Sequence, residues 1–316
     1  MTKTYVVTGG AGFIGSHIAE RLLKDGHTVR IVDNLITGKQ ANLELLNGKV
    51  EFHHVSITDL AALRPIFEGV DTVFHHAALA SVPLSVENPL LSHEHNATGT
   101  LNVLVAARDA GVRRVVYAAS SAAYGNNESE QQVETATPKP LSPYGVSKLA
   151  GEYYCQSFAQ VYKLETVCLR YFNIFGARQV PDSPYSGVMA KFILLMMRGE
   201  CPIIFGDGEQ GRDFTHISNV VEANLLALTA PAASAAGRVF NIACGQRHTL
   251  NETYHLLASL LGFKHPPKYG PEREGDVRDS LADISAASDA LGYVPRTNFE
   301  EGLRRTVAWY RDEFAF

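Results

Sequence analysis

The chain has no surplus of positive charge: 28 lysines and arginines face 33 aspartates and glutamates, a formal net charge of -5. Bulk electrostatics therefore offers nothing to a nucleic acid or an anionic membrane surface. No apolar run is long enough to span a bilayer, and the sequence passes from Lys3 into a strand pattern with no leader before it. Only four cysteines occur, Cys155, Cys168, Cys201 and Cys244, with no CxxC among them. Reduced thiols in a cytoplasmic protein are expected. The histidine pairs His53-His54 and His75-His76, and His93 with His95, lack an HExxH or any matching acid. Neighbours on a strand point to opposite faces, so no metal is expected. There is no internal repeat, and the one biased stretch, Ala230–Ala236, reads as a loop. With 46% hydrophobic and 19% charged residues among 316, a sizeable core is available to one large domain or two unequal ones.

What is present centres on Ser142-Pro143-Tyr144-Gly145-Val146-Ser147-Lys148. Tyr144 and Lys148 stand four apart at the start of a helical pattern and so share one face. An ammonium beside a phenol favours the phenolate and lowers its pKa from about 10. Tyr144 would then serve as a proton acceptor. Alone, the spacing is weak and better fits two solvated side chains.

The amino-terminal stretch changes that balance. Thr4–Thr8 reads as a buried strand, followed by Gly9-Gly10-Ala11-Gly12-Phe13-Ile14-Gly15 and a helical pattern from Ser16 to Lys24. Glycines permit the tight turn and the close approach of backbone to a pyrophosphate, whose charge meets the free N–H groups of the helix start. A second strand from Thr28 ends at Asp33, where a ribose 2′-OH ligand is expected. A 2′-phosphate would meet its charge, so NAD is favoured over NADP. Asn34 to Lys39 is a polar loop that could wrap the adenosine ribose or lie in solvent. After a third strand, Val50–His54, Asp59-Leu60 offers either an adenine acceptor or a helix cap.

Asp71–His75 is a fourth strand, and the small residues Ala77, Ala78 and Ala80 beyond it leave room for a flat ring. Asn88 to Ala110 reads as mostly one long helix, broken near Pro89; Asn96 interrupts its apolar stripe and is either a buried amide fixing backbone or plain surface. The strand Val112–Ala118 leads into Ser120-Ser121, hydroxyls where ligands bind in open α/β sheets. Past Val167–Arg170 the composition shifts. Val188–Arg198 is helical, Cys201–Phe205 a short strand, and Gly206 to Gly211 a tight turn leading to Arg212. Arg212 and Arg273, both on loops, suit a diphosphate gripped by guanidinium, or ordinary salt bridges.

Thr8-Gly9-Gly10-Ala11-Gly12-Phe13-Ile14-Gly15, Asp33-Asn34-Leu35, Ser120-Ser121, Tyr144-x-x-x-Lys148 and Arg170-Tyr171-Phe172-Asn173 resemble the extended short-chain dehydrogenase/reductase family, closest to its UDP-hexose 4-epimerases. The resemblance covers nearly the whole chain. It implies an α/β fold: a Rossmann-type parallel sheet domain, residues 1–173, with a smaller α/β substrate domain, 174–316, from which 217–242 return to the first. It implies tightly held NAD, contacted by Gly9, Gly12, Phe13, Ile14, Gly15 and Asp33, then by Asn34, Leu35, Thr37, Gly38, Asp59 and Leu60. Ala77, Ala78, Ala80, Asn96, Ser120 and Tyr171 complete that set with Tyr144 and Lys148. Ser121, Tyr144 and Lys148 take the catalytic places. Asn173, Arg212 and Arg273 match the diphosphate ligands, Asp276 the uridine ribose ligand and Phe205 the uracil neighbour, with Val188 also facing substrate. One departure stands at Ala80, where many epimerases have a lysine.

The implied reaction is reversible oxidation at the sugar C4 through a transient 4-keto sugar. Ser280 falls at the position where tyrosine restricts these enzymes to plain hexoses, which points to UDP-GlcNAc and UDP-GalNAc, as in UDP-N-acetylglucosamine 4-epimerases, alongside UDP-glucose and UDP-galactose. A 4,6-dehydratase would need an Asp-Glu pair after its catalytic hydroxyl, and Ala122-Ala123 follow Ser121. A UDP-glucuronate decarboxylase or 4-epimerase would need a cation for the uronate, with Arg178 and Arg278 the candidates. An NAD-sensing scaffold would account for the glycine turn but not the Ser-Tyr-Lys set. A homodimer through the helices beginning near Asn88 and Tyr144 is expected, with Leu149 and Tyr153 pointing outward.

Overall fold

The computed structural model describes residues 2–125, 129–180, 187–272 and 278–314. Seven strands form one sheet, parallel throughout: Thr4–Thr8, Thr28–Asp33, Glu51–His54, Thr72–His75, Arg114–Ser120, Glu165–Tyr171 and Arg238–Ile242. Their spatial order, counted along the chain, is seventh, sixth, fifth, fourth, first, second, third. The order reverses between the first and fourth strands, and in such sheets the crevice at the strands' carboxyl ends is the ligand site.

Strand sequences dense in valine, isoleucine and aromatics suit burial on both faces. Tyr5 and Val7 join the cluster beneath the helices Phe13–Lys24 and Ile217–Thr229. Val6, between them, points to the other cluster, with Leu63, Val103 and Phe158 from the helices Leu60–Phe67, Gly99–Asp109 and Pro143–Tyr162. The period of two along one strand thus fills two layers. A third cluster, built by the helices Val188–Met197, Leu250–Leu261 and Phe299–Glu313, forms the core of a smaller α/β unit. Short strands complete it: Ile203–Phe205 pairs with Lys268–Gly270, and Gly211–Arg212 lies between His248–Thr249 and Asp279–Ser280. Trp309 packs edge-on to Tyr310 and Phe314.

Two local details are added. The stretch expected as mostly one helix from Asn88 to Ala110 is helical without a break from Pro89 to Asp109, with a π-helical turn, Glu94–Thr98, between Pro89–His93 and Gly99–Asp109. Pro89 starts the first piece instead of breaking it, because a proline at the first turn needs no N–H partner, and Asn88 caps it by accepting from the Leu91 N–H at 3.2 Å. The alanine-rich stretch read as a loop contains a short helix, Ala232–Ala235, in keeping with alanine's high helix propensity.

Candidate active site

The glycine turn is built by contact. Gly9 has φ +71°, and a Cβ there would lie 2.6 Å from the Ala77 nitrogen; a Cβ on Gly15 would lie 2.2 Å from the Gly9 carbonyl oxygen. Gly12 caps the helix Phe13–Lys24 with no side chain, and the first turn holds no acid. Its leading N–H groups, beside Phe13 and Ile14, are thus left to an anion such as a pyrophosphate. Asp33 organises the neighbouring loop: Oδ2 accepts from the Ala11 N–H at 3.0 Å and Oδ1 from the Leu35 N–H at 2.8 Å. Burial pushes its carboxyl up, against the pull of those two N–H donors. Gly38 packs against it, since a Cβ there would sit 2.8 Å from Oδ1. Asn34 turns its own loop by accepting from Ile36 N–H at 3.2 Å, and Thr37 is exposed. Of the two roles open to Asp59, the structure shows the cap: its carboxylate accepts from Ala62 N–H at 3.0 Å at the helix opened by Leu60. These residues fit a dinucleotide: a side-chain-free cradle, a helix N-terminus and an acid at the second strand's end.

The next wall follows the fourth strand. Ala77 N–H donates to Thr8 Oγ1 at 3.3 Å, Ala78 is half-buried and Ala80 exposed. Asn96, on the π-helical turn and 1% exposed, is the buried amide. Its Oδ1 accepts from Leu79 N–H at 2.8 Å, and its Nδ2 donates to Leu79 O at 3.2 Å and Ser147 Oγ at 3.1 Å. One amide therefore holds the 77–80 segment against the residue next to Lys148.

Tyr144 and Lys148 lie on the helix Pro143–Tyr162, capped by Ser142, which accepts from Gly145 N–H at 3.1 Å. Two glycines let this helix reach its neighbours. A Cβ on Gly145 would lie 2.7 Å from Ala122 O, and one on Gly151 would lie 2.2 Å from the Tyr117 hydroxyl. The helix thereby presses onto the Ser120–Ala122 turn. The Ser120 side chain neighbours the Tyr144 phenol and works against the rise of its pKa, and its hydroxyl accepts from Ala122 N–H at 3.2 Å; Ser121 opens the 3₁₀ turn Ser121–Ala123. The expected lowering of the phenol by Lys148 is absent. Lys148 Nζ donates to the Ala118 carbonyl at 2.8 Å and lies 5.0 Å from the Tyr117 ring centre. Burial raises the Tyr144 phenol above its ordinary value, opposed by Ser120. Burial also lowers Lys148 to about 8, opposed chiefly by the Glu152 carboxylate one turn on. Spacing alone missed Glu152, which is itself clamped by Arg170.

The far side is held by a separate set of hydrogen bonds. Tyr171 is buried, its hydroxyl taking a bond from Asn224 Nδ2 at 2.8 Å and lying 3.0 Å from His76 Nε2. Asn173, at φ +36°, has its Nδ2 donating to Asp213 O at 3.1 Å and Ser280 Oγ at 2.9 Å. Arg212 lies on the strand paired with Ser280, its Nη1 donating to Gly211 O at 2.8 Å and Arg278 O at 3.0 Å. Phe205 ends its strand half-buried, its carbonyl accepting from Gln210 Nε2 at 2.6 Å, and Val188 starts the helix Val188–Met197. Arg273 and Asp276 lie outside the described residues. Among the described residues no group of three or more His, Cys, Asp or Glu could hold a metal ion, and no helix is long and apolar enough to cross a membrane.

Comparison with known proteins matches this geometry. The UDP-glucose 4-epimerase of Thermotoga maritima, solved with UDP-glucose, is 40% identical, with a TM-score of 0.94 over 98% of this chain and 99% of its own. The UDP-N-acetylglucosamine 4-epimerase of Methanobrevibacter ruminantium M1, solved with UDP-N-acetylmuramic acid, is 41% identical, with a TM-score of 0.93 over 99% of each chain. A UDP-N-acetyl-alpha-D-glucosaminuronate decarboxylase of Bacillus cytotoxicus is 33% identical over 99% of each protein, so similarity spans more than one reaction type. Residues 5–243 match the family described as NAD dependent epimerase/dehydratase. With the glycine cradle, Asp33 and the Ser120–Tyr144 pair in place on a parallel sheet, the chain belongs to the NAD dependent epimerase/dehydratase family.

Proposed function

We propose that this protein is a UDP-hexose 4-epimerase that uses NAD and interconverts UDP-GlcNAc with UDP-GalNAc, and UDP-glucose with UDP-galactose. The observation that carries this reading is the buried Tyr144 phenol beside the Ser120 side chain on the helix that also carries Lys148, with Ser121-Ala122 and no carboxylate following Ser120 in sequence. Such a site can take and return one proton at a sugar hydroxyl. The serine pair is followed by Ala122-Ala123 and not by the Asp-Glu pair that a dehydratase uses to expel water from the neighbouring carbons. The glycine cradle, the helix N-terminus and Asp33 would hold NAD, which when bound supplies a reversible hydride acceptor for C4. The Tyr144 phenol exchanges the 4-OH proton. Ser120 hydrogen-bonds the phenol and steers that proton, and Lys148 contributes fixed positive charge on the same helix face. Arg212 stands on the nucleotide side, so the sugar can turn while its nucleotide stays held. A uronate reading is less well served: Arg178 is paired with Glu20 at 2.5 Å, and Arg278 with Asp207 at 3.0 Å.

Ser280 carries the substrate range. It is half-buried beside Asn173, and its side chain is far smaller than the tyrosine that would restrict the site to plain hexoses. The test is kcat/KM for the four UDP-sugars. Wild type is expected to use both pairs. Ser280→Tyr is expected to lose the acetamido pair by about 100-fold while keeping UDP-galactose. Ser280→Ala removes only the hydroxyl that accepts from Asn173, and should keep all four. A wild type that ignores the acetamido sugars would sink the gate, and one that turns over only a uronate would sink the epimerase reading.

We also propose a homodimer. The helices Val82–Glu87, Pro89–His93 and Pro143–Tyr162 pack together, and their outer face exposes Val86 at 64%, Leu90 at 82%, Tyr153 at 54% and Val161 at 63%. So much clustered apolar surface favours a partner, and an isologous pairing covers it in both copies. Light scattering at micromolar concentration is expected to give twice the 34.4 kDa chain mass, and Leu90→Glu to shift it toward one. A wild-type monomer would rule the dimer out.

A further inference from the structure

We infer that Asp213 is the positioning residue of the substrate side, a buried carboxylate that fastens the Ser280 segment and the end of the seventh sheet strand to the strand carrying Arg212. This inference rests on the UDP-sugar reading of the site. Asp213 is 0% exposed. Its Oδ1 accepts from the Cys244 N–H at 2.9 Å; its Oδ2 accepts from the Gly245 N–H at 2.9 Å and the Ala282 N–H at 3.3 Å. Its backbone is used equally fully: its N–H donates to Ser280 O at 2.8 Å, and its carbonyl accepts from Asn173 Nδ2 at 3.1 Å.

Three stretches far apart in sequence therefore meet on one residue. The first, at Asn173, leaves the sixth sheet strand, and the second leaves the seventh; both belong to the large sheet. The third carries Ser280 and belongs to the smaller unit. The side chains read as substrate-facing, those of Asn173, Arg212 and Ser280, all lie at this junction. The chemistry requires an acid. A carboxylate is acceptor-only, and N–H groups bound to an ionised acceptor make stronger bonds than neutral pairs. An asparagine would turn an N–H₂ toward a backbone N–H and lose one oxygen's bonds. Burial pushes the Asp213 carboxyl up to about 6, which still leaves it mostly ionised above pH 7. Nothing in the geometry places Asp213 at the reacting carbon, so its effect should fall on nucleotide binding and not on proton transfer.

Asp213→Asn tests this, with UDP itself as the probe. Calorimetry is expected to show UDP binding at least about 10-fold weaker than wild type, the scale of one lost charge-assisted hydrogen bond. KM for the UDP-sugars should rise with kcat changed far less, and NAD content after purification should stay at the wild-type level. Wild-type UDP affinity in this variant would overturn the inference. Equal loss of NAD and UDP would do the same, because it would mark a fold defect and not a positioning role. If the variant fails to fold, hydrogen exchange on the wild type decides: the amides of Cys244, Gly245 and Ala282 should gain protection together when UDP is added, and independent or unchanged exchange would overturn the inference. A wild-type protein that retains NAD but binds no UDP would instead overturn the functional reading, and this inference with it.

Discussion

Tyr144→Phe is expected to lower kcat by about 10²- to 10⁴-fold in a UDP-hexose assay and to leave NAD content after purification unchanged. The substitution removes one oxygen. It keeps the ring, the helix cap at Ser142 and the backbone bond from Tyr144 N–H to Ser85 Oγ at 3.0 Å. The cradle that would hold NAD lies on other elements, at Gly9, Gly15 and Asp33. Loss therefore falls on proton transfer and not on cofactor binding. Ser120→Ala should reduce kcat as well, and by more than Ser121→Ala, since it is the Ser120 hydroxyl that meets the phenol. Equal turnover by wild type and Tyr144→Phe would remove the phenol from the mechanism. A larger loss in Ser121→Ala than in Ser120→Ala would return the role to Ser121.

The second large effect is expected at Glu152, two turns along the same helix. Arg170 Nε and Nη2 donate to its two oxygens at 2.9 and 2.6 Å, and the side chains are 4% and 1% exposed. The guanidinium also lies 4.6 Å from the centre of the Tyr124 ring, whose hydroxyl donates to Asn241 Oδ1 at 2.7 Å. Glu152→Ala leaves that cation buried without its partner, at a cost of about 3–5 kcal/mol. In a chain of this size that is a fall in melting temperature of roughly 5–8 °C. Replacing both residues with apolar ones of similar volume, Glu152→Leu with Arg170→Met, should recover most of the loss, because the desolvation of both charges goes with them. A Glu152→Ala protein that melts with wild type would refute the account.

The stable double variant also reads out Lys148. In the wild type, burial lowers its ammonium to about 8 while Glu152 pulls it back up. A lysine acts as a cation below its pKa and loses that charge as pH rises through it. The wild-type kcat should therefore fall as pH rises through about 8, and the basic limb should move to lower pH in the double variant. An unmoved limb would mean that Glu152 does not sustain the charge on Lys148.

What was legible in the sequence was whatever one element decides by itself. The glycines at 9, 12 and 15 announce a turn because the positive φ of Gly9 and the close approach of Gly15 to Gly9 are local, although the further crowding of Gly9 comes from Ala77 on another element. Alternating burial at Tyr5, Val6 and Val7 follows from the strand's period of two, and Ser142-Pro143 marks a helix start by its own cap chemistry. The identity of partners across elements was not legible in this way. Spacing of four puts Tyr144 and Lys148 on one face, yet the acceptor within reach of Lys148 is the Ala118 carbonyl on the neighbouring strand. Adjacent serines look alike in sequence; the press of Gly145 on Ala122 decides which one meets the phenol. The bond from the Asn173 amide to a serine hydroxyl exists only because the pairing of Arg212 with Ser280 brings Ser280 there. Asp213 carried no periodic or motif signal of its own, because its bonds run to Cys244, Gly245 and Ala282, residues from other parts of the chain. Local propensities act over a few residues, whereas hydrogen bonds of that kind exist only after the sheet and the smaller unit have packed and excluded water from the polar groups between them.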